Sequence, residues 1–423
     1  MKSIFFRLSF LMGGLVLQGC EHDPLFLKMS EDYIQTNQIY QFESRTEIDE
    51  MIQVEMNRQN IPGCSVALIE NGNLSYAKAY GYKTLETKVP LTLGDVFPTG
   101  SVSKSYTALS VMQLAEEGRI DLEKDIREYV PHAVKKHPYL TSVRSLLGHQ
   151  SGMPGAGESW VGEAEFSMFT PQERAIPKNA VRLFNLTAPL AVPGHRQKYS
   201  NPGYVTLAAA VEAVSGKPLY EYYEENIFSK MDMTVYEDRP WIDPYGYYVS
   251  QYIRGADGSP KLVGPSQYDW HTGAGESASN IITLAKFAEG LLSHSFVEED
   301  SQSEMFSRAW VNCETPKPFP PPKDPKSSFF VRQEHECNPQ NIHFGLGFGF
   351  KAINGISRAI FAGEIQGAAV NGSVIQSRGL AVVLACNLFE TDMRKLREPI
   401  EMLLIEAQDN HQSGGSSQAA QIR

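Results

Sequence analysis

Five cysteines in 423 residues are too few for a disulfide-built scaffold, and 49 acidic against 38 basic side chains leave no basic stripe to neutralise phosphates. Nucleic acid is thereby set aside as a partner. Long hydrophobic runs are also missing beyond the N-terminus, where no apolar stretch reaches the roughly 20 residues that a membrane span takes. Metal-ligand spacing is absent too. The grouping His335, Glu336, Cys337 and His343 fits no zinc pattern, so neither a metal nor another cofactor is expected. What remains is an ordinary globular composition, 42 % hydrophobic and 21 % charged, in a chain long enough for one large domain or two.

The N-terminus has the layout of a bacterial export signal. Lys2 and Arg7 supply a short basic region, Leu8 to Leu17 an apolar one, and Gly19 a small residue before Cys20. "LVLQGC" resembles the lipobox of lipoproteins, which would make residues 1–19 a removed signal and Cys20 the lipidated first residue. Gln18 is unusual in that box, so plain cleavage and secretion stays open. Either way the protein is expected outside the cytoplasm; with the lipid it is a periplasmic or cell-envelope lipoprotein, and any attachment to the membrane is by lipid alone. Cys313 and Cys337 flank the proline-rich "ETPKPFPPPKDPKSS" and could staple its ends in an oxidising compartment. Cys64 and Cys386 lie in apolar, strand-like runs and read as small buried hydrophobes.

Residues 21–43 read as a tether, 44–407 as the folded domain with a proline-rich insertion at about 313–337, and 408–423 as a disordered tail. An entry helix is expected from Ser44 to Asn60, with Ser44 and Glu47 spaced as a capping box. Two apolar runs around Asn71-Gly72-Asn73 predict a hairpin. Residues 119–295 read as helices and loops, and the acidic run at 298–304 as a solvated loop. Further strands are expected in "IHFGLGFGFKAI", "ISRAIFAGEI", "GAAVNGSVIQ" and "GLAVVLACNL", ahead of a last helix. Strands at both ends of the sequence around a helical block predict an α+β fold, in which an antiparallel sheet from the two terminal parts packs on helices. A central helical subdomain would leave a cleft at the junction.

The chemistry concentrates in "FPTGSVSKSYTALSVMQLAEEGRI". Ser101 and Lys104 stand three residues apart at the start of a helical run in which Leu109, Met112 and Ala115 share a face. A serine hydroxyl is a weak nucleophile until a base takes its proton, and burial can keep a lysine in the neutral form that does so. The positive end of the helix favours an oxyanion. Alone, S-x-x-K is equally well an N-cap serine and a solvated lysine. "RQKYSNPGYV" adds Tyr199, able to pass a proton, and Asn201, able to hold a carbonyl or the lysine.

Together, "GSVSKSYTALSVMQLAEEGRIDL", "LLGHQSGMPG" and "YSNPGYVTLAAAVEAVSGKPL" resemble, over residues 45–405, the β-lactamase-related serine hydrolases: class C β-lactamases, D-Ala-D-Ala carboxypeptidases, esterases and amidases. The resemblance implies a β-lactamase/transpeptidase-like fold, Ser101 as acylated nucleophile, Lys104 as base, Tyr199 as proton relay and Asn201 as the residue orienting lysine and substrate. His149, Ser151 and Gly152 would shape the cleft, His149 by packing rather than catalysis.

Such proteins carry a third box, Lys-Thr-Gly or His-x-Gly, on a strand of the cleft. Phe361-Ala362-Gly363 stands at the matching place, followed by Glu364. Gly363 would leave room for substrate, the Glu364 backbone N–H would complete an oxyanion hole, and Phe361 would add apolar surface where a carboxylate-binding cation is missing. A charge-assisted hydrogen bond of that kind is worth about 1.5–3 kcal/mol. The expected substrate is therefore a small ester, amide or peptide without a free carboxylate, and efficient β-lactam hydrolysis is not expected. His271-Thr272-Gly273 is a second His-x-Gly, read as cleft lining ahead of a helix. A non-catalytic protein binding cell-wall peptide or a partner is the alternative reading. Neither the natural substrate nor the oligomeric state is legible at this level.

Overall fold

The computed structural model describes residues 24–155, 167–184, 188–237, 246–264, 270–307, 309 and 343–419. The most apolar runs of the two terminal parts meet at the centre of one sheet. Strand β1 (Gly63–Glu70) continues through the Asn71-Gly72 turn into β2 (Asn73–Thr84), with β3 (Val89–Pro90) at the edge. From the other end of the chain come β9 (Gly349–Ile353), β10 (Ile356–Ile365), β11 (Ala368–Ile375) and β12 (Leu380–Cys386). The order β3-β2-β1-β12-β11-β10-β9 is antiparallel in every pairing, and β12 is buried on both faces. Runs without alternation, such as "LAVVLAC", fit a sheet covered on both sides. The intervening segments add two small sheets that the sequence reading did not separate from loop. One joins β4 (Phe97–Pro98), β5 (Tyr236–Glu237) and β8 (Ser277–Ser279), and the other is the hairpin β6 (Gln251–Arg254) with β7 (Pro260–Val263).

Alternation on β1 sorts its side chains into two cores. Val66 and Leu68 face a layer of two helices, α2 (Thr46–Gln59) and the last helix, through Ile52, Met56, Leu396 and Ile400. Ala67 and Ile69 face the helical subdomain, which contains α3 (Ser103–Glu116), α4 (Asn201–Ser215) and α5 (Ile281–Leu292). The result is the expected α+β sandwich with the cleft between sheet edge and subdomain. α3 is buried from Ser103 to Leu114, so the stripe at Leu109 and Met112 is one side of a helix enclosed all round.

Several local expectations are corrected. Residues 24–39, taken as tether, form helix α1 (Pro24–Ile39), docked where Asn37 Oδ1 accepts from the Gly94 N–H and Asn280 Nδ2 donates to Asp32. Ser44 does not cap α2: its hydroxyl accepts from Lys78, and the N-cap is Arg45. The acidic run at 298–304 contributes the helix Glu299–Met305, whose first-turn Glu299 and Asp300 match the positive end of the peptide dipoles. The last helix, α6 (Met393–Ala419), continues into the expected tail. Cys64 and Cys386 are fully buried as expected, but they oppose each other across β1 and β12 and are joined as a disulfide. Cys20, Cys313 and Cys337 lie outside the described residues.

Among the described residues no helix is long and apolar enough to cross a membrane, and no cluster of His, Cys, Asp and Glu could hold a metal.

Candidate active site

Ser101 sits in a single 3-10 turn, Gly100–Val102, which runs directly into α3. Two neighbours tie the turn to β8: the Thr99 N–H donates to the Ser277 carbonyl at 2.7 Å, and the Ser103 and Ser277 hydroxyls are 2.7 Å apart. Gly100 has a φ of +51°, and a Cβ there would lie 3.2 Å from the Glu364 nitrogen. Glycine is needed both for the left-handed backbone and for the close approach of β10.

Lys104 lies one turn on, 3 % exposed, with Nζ 3.0 Å from Ser101 Oγ. The same Nζ also donates to the Ala274 carbonyl and lies over the Tyr199 ring, 4.7 Å from its centroid. Burial alone pushes the amine well below the ordinary lysine range. Two nearby histidines are lowered too, by burial first and by any charge on Lys104 second: His149 well below its usual value, and His271 down to about 3.

The Tyr199 hydroxyl donates to Ser101 Oγ at 2.6 Å from the other side. The residue is partly exposed while its hydroxyl meets Ser101, and burial pushes the phenol above its usual range. The two shifts favour opposite proton roles. A neutral amine can accept the serine proton, whereas a phenol held in its protonated form is a donor. Asn201 opens α4 behind the N-cap Ser200, and its buried Oδ1 has no hydrogen-bond partner. That amide lines the cleft.

The strand register supplies the remaining donor. β10 pairs with β11 through the two-residue turn Gln366-Gly367, so Ile365 and Gly363 exchange hydrogen bonds with β11 while Glu364 faces the other way. On that side β9 pairs no further than Ile360, and the Ser101 turn occupies the open edge. The backbone N–H groups of Ser101 and Glu364 can therefore converge on one carbonyl oxygen. Gly363 is required by contact: a Cβ would fall 1.8 Å from the Thr99 carbonyl oxygen.

Ser101, Lys104, Tyr199, Asn201, Gly363 and Glu364 thus come together. Phe361 does not line the cleft. Its ring is 1 % exposed, packs edge-on to Phe287 of α5 at 5.0 Å and covers Gly372, because an aromatic ring at this inward position gains more from the core than from the cleft mouth. His271 lines the cleft as expected, but on the turn before β8 and not on β10, so it is no third box. His149 is a packed residue, 3 % exposed. His343 is exposed, and His335, Glu336 and Cys337 lie outside the described residues.

The cleft, about 660 Å³, also has walls that the sequence reading missed. Trp270, Ile253 and Phe389 are apolar, Arg254 brings a cation, and Glu390 sits beside Glu364, whose carboxylate accepts the Glu390 N–H at 2.5 Å. Burial, and then the charge of Glu390, raise the Glu364 carboxyl. Ile253 and Arg254 come from β6, and Phe389 and Glu390 from the segment after β12, neither of which holds a recognisable motif, while Trp270 stands directly before His271. Pairing of β6 with Leu388 is what brings β6 and that segment together.

Residues 48–406 match the model of the Beta-lactamase family. The chain is 28 % identical over 263 residues to penicillin-binding protein 4* of Bacillus subtilis, covering 59 % of this chain and 56 % of that protein. Protein flp of Staphylococcus aureus is 26 % identical over 201 residues, 45 % of this chain and 38 % of its own. The chain thus spans little more than half of one curated relative and less than half of the other. Among solved structures, the octameric penicillin-binding protein homologue of Pyrococcus abyssi aligns with a TM-score of 0.65 at 22 % identity, over 85 % of this chain and 77 % of that one. The D-amino acid amidase of Ochrobactrum anthropi SV3 aligns with a TM-score of 0.64 at 20 % identity, over 86 % and 99 %.

Proposed function

The chain belongs to the Beta-lactamase family, and from that premise we propose that it is an exported serine hydrolase that forms an acyl-enzyme on Ser101. One observation carries the reading: Ser101 Oγ is held between Lys104 Nζ at 3.0 Å and Tyr199 Oη at 2.6 Å, with burial favouring the neutral amine. Ser101 Oγ attacks the substrate carbonyl carbon as its proton passes to Lys104 Nζ. The oxyanion is met by the N–H groups of Ser101 and Glu364. The bond to the leaving group then breaks, Tyr199 protonates the departing nitrogen or oxygen, and the proton held by Lys104 restores the phenol. Water adds to the acyl-enzyme with Lys104 again as base, and Ser101 is released.

For the substrate, we infer an ester or amide without a free carboxylate at the third-box position. The support is that β10 carries no cation there, while Trp270, Phe389, Glu364 and Glu390 favour an apolar or cationic portion. Arg254 is the cation among the described lining residues and lies on β6, with Nη1 donating to the Gln59 carbonyl. The N-terminal segment supports export and a lipid on Cys20, and the Cys64–Cys386 disulfide suits an oxidising compartment.

The test is intact mass after exposure of the purified protein to a fluorophosphonate and, separately, to a labelled penicillin, with Ser101→Ala as control. A fluorophosphonate adduct that disappears in Ser101→Ala, with no penicillin adduct, is the expected outcome. Absence of both adducts would favour a binding protein, and efficient penicillin turnover would contradict the substrate reading.

A further inference from the structure

Tyr199 lies at the end of a long loop, yet its hydroxyl is within 2.6 Å of Ser101 Oγ. Some element must hold it, since about 1 Å of misplacement costs on the order of 100-fold in rate. The segment Gly148 to Pro154 carries most of that duty. Its carbonyls accept from the N–H groups of the loop in succession: Leu190 to Gly152 at 2.8 Å, Gly194 to Gln150 at 2.7 Å and Lys198 to His149 at 2.7 Å. The Ser200 hydroxyl closes the series on the Pro154 carbonyl at 2.9 Å.

His149 is the member that reaches both sides of Tyr199. Its carbonyl takes the N–H of Lys198, the residue before, and its Nδ1 takes the N–H of Ser200, the residue after, at 3.2 Å. Its ring lies against the Tyr199 ring, with centroids 4.5 Å apart, and is backed by Tyr204 at 4.9 Å and Phe344 at 5.0 Å. A φ of +57° at His149 lets carbonyl and ring meet the same three-residue stretch. An acceptor at Nδ1 fixes the tautomer with hydrogen on Nε2.

We propose that His149 is a positioning residue of this site: by gripping the backbone on both sides of Tyr199 and packing against its ring, it aims the phenol for protonation of the leaving group. The proposal rests on the hydrolase reading above. It separates from simple packing because Tyr199 matters in proportion to the leaving group's need for a proton. p-Nitrophenolate departs without one, while an alkoxide or an anilide nitrogen requires it.

The experiment compares kcat/KM of wild type, His149→Phe, Tyr199→Phe and the double variant on a p-nitrophenyl ester, a benzyl ester and an anilide sharing an acyl group that the wild type turns over. His149→Phe keeps a ring and removes the acceptor. The expected result is a loss of about 100-fold on the benzyl ester and anilide, with less than about fivefold on the p-nitrophenyl ester. The double variant should be no slower than Tyr199→Phe alone, because both changes remove one function. His149→Asn, whose amide oxygen can replace Nδ1, should recover most of the loss. Equal slowing on all three substrates, additive losses or an unimpaired His149→Phe would overturn the proposal. Where His149→Phe does not fold, His149→Asn against His149→Gln carries the same comparison of leaving groups. Fluorophosphonate labelling of wild-type Ser101 is read alongside, so failure of the hydrolase reading is distinguishable from failure of the role given to His149.

Discussion

Lys104 is the side chain on which the account turns. Its charged form is penalised by burial, so the folded chain binds fewer protons than the unfolded chain between the lowered value and the ordinary lysine value near 10.4. The sign follows: this group's cost to stability is full below the lowered value and fades as pH rises toward 10.4. Lys104→Met, similar in length and without a charge to bury, is therefore expected to raise stability at pH 7 by about 1 kcal/mol while abolishing hydrolysis. Thermal unfolding across pH 7 to 10 checks it, and the rise in stability with pH should flatten in the variant. A less stable variant, or an unchanged slope, would count against a neutral lysine. At this scale the sequence was informative, because S-x-x-K and Y-x-N hold reactive groups at fixed spacing on a helix start and a loop end. Arg254 and Glu390 were not legible, since a charged residue in a strand or loop announces nothing until the chain folds around it.

Strand β10 and the turn bearing Ser101 make the site as a pair. The strand brings its open edge to the turn only because both Gly100 and Gly363 lack a side chain. In Gly363→Ala the new methyl would meet the Thr99 carbonyl and lie 2.7 Å from the Ser101 nitrogen, forcing the strand away from the nucleophile. The expected outcome is a fall in kcat of about 10²–10³-fold, the effect of losing one oxyanion donor, with the fold retained by circular dichroism. Activity near wild type would contradict the placement of the Glu364 N–H. The glycine of this box could be read from the sequence, and so could the missing cation. The direction of Phe361 could not. Only the packing shows Phe287 and Gly372 offering its ring a place in the core, which turns it from the cleft lining expected of it into support beneath the strand.

For the whole molecule, the interleaving of terminal strands was legible because strand-like apolar runs stand at both ends of the sequence around a helical block. The segments assigned by composition fared less well. α1 and the end of α6 are helical where polar sequence suggested tether and tail, and α1 owes its place to contacts such as Asn37 with Gly94, made by residues far apart in sequence. The pairing of Cys64 with Cys386 follows from the β1–β12 register, across 322 residues, and no local spacing could have revealed it. The same closure holds the turn of Ser101 between sheet and subdomain, where Lys104 is almost fully buried.

The measurement that tests this most directly is the rate of fluorophosphonate labelling of Ser101 as a function of pH, in the wild type and in Lys104→Arg. The account predicts labelling that falls as pH drops through a single ionisation well below the ordinary lysine value, and none of that reactivity in Lys104→Arg, whose guanidinium stays charged. Equal labelling of the two proteins, or a rate that rises only above pH 10, would contradict it.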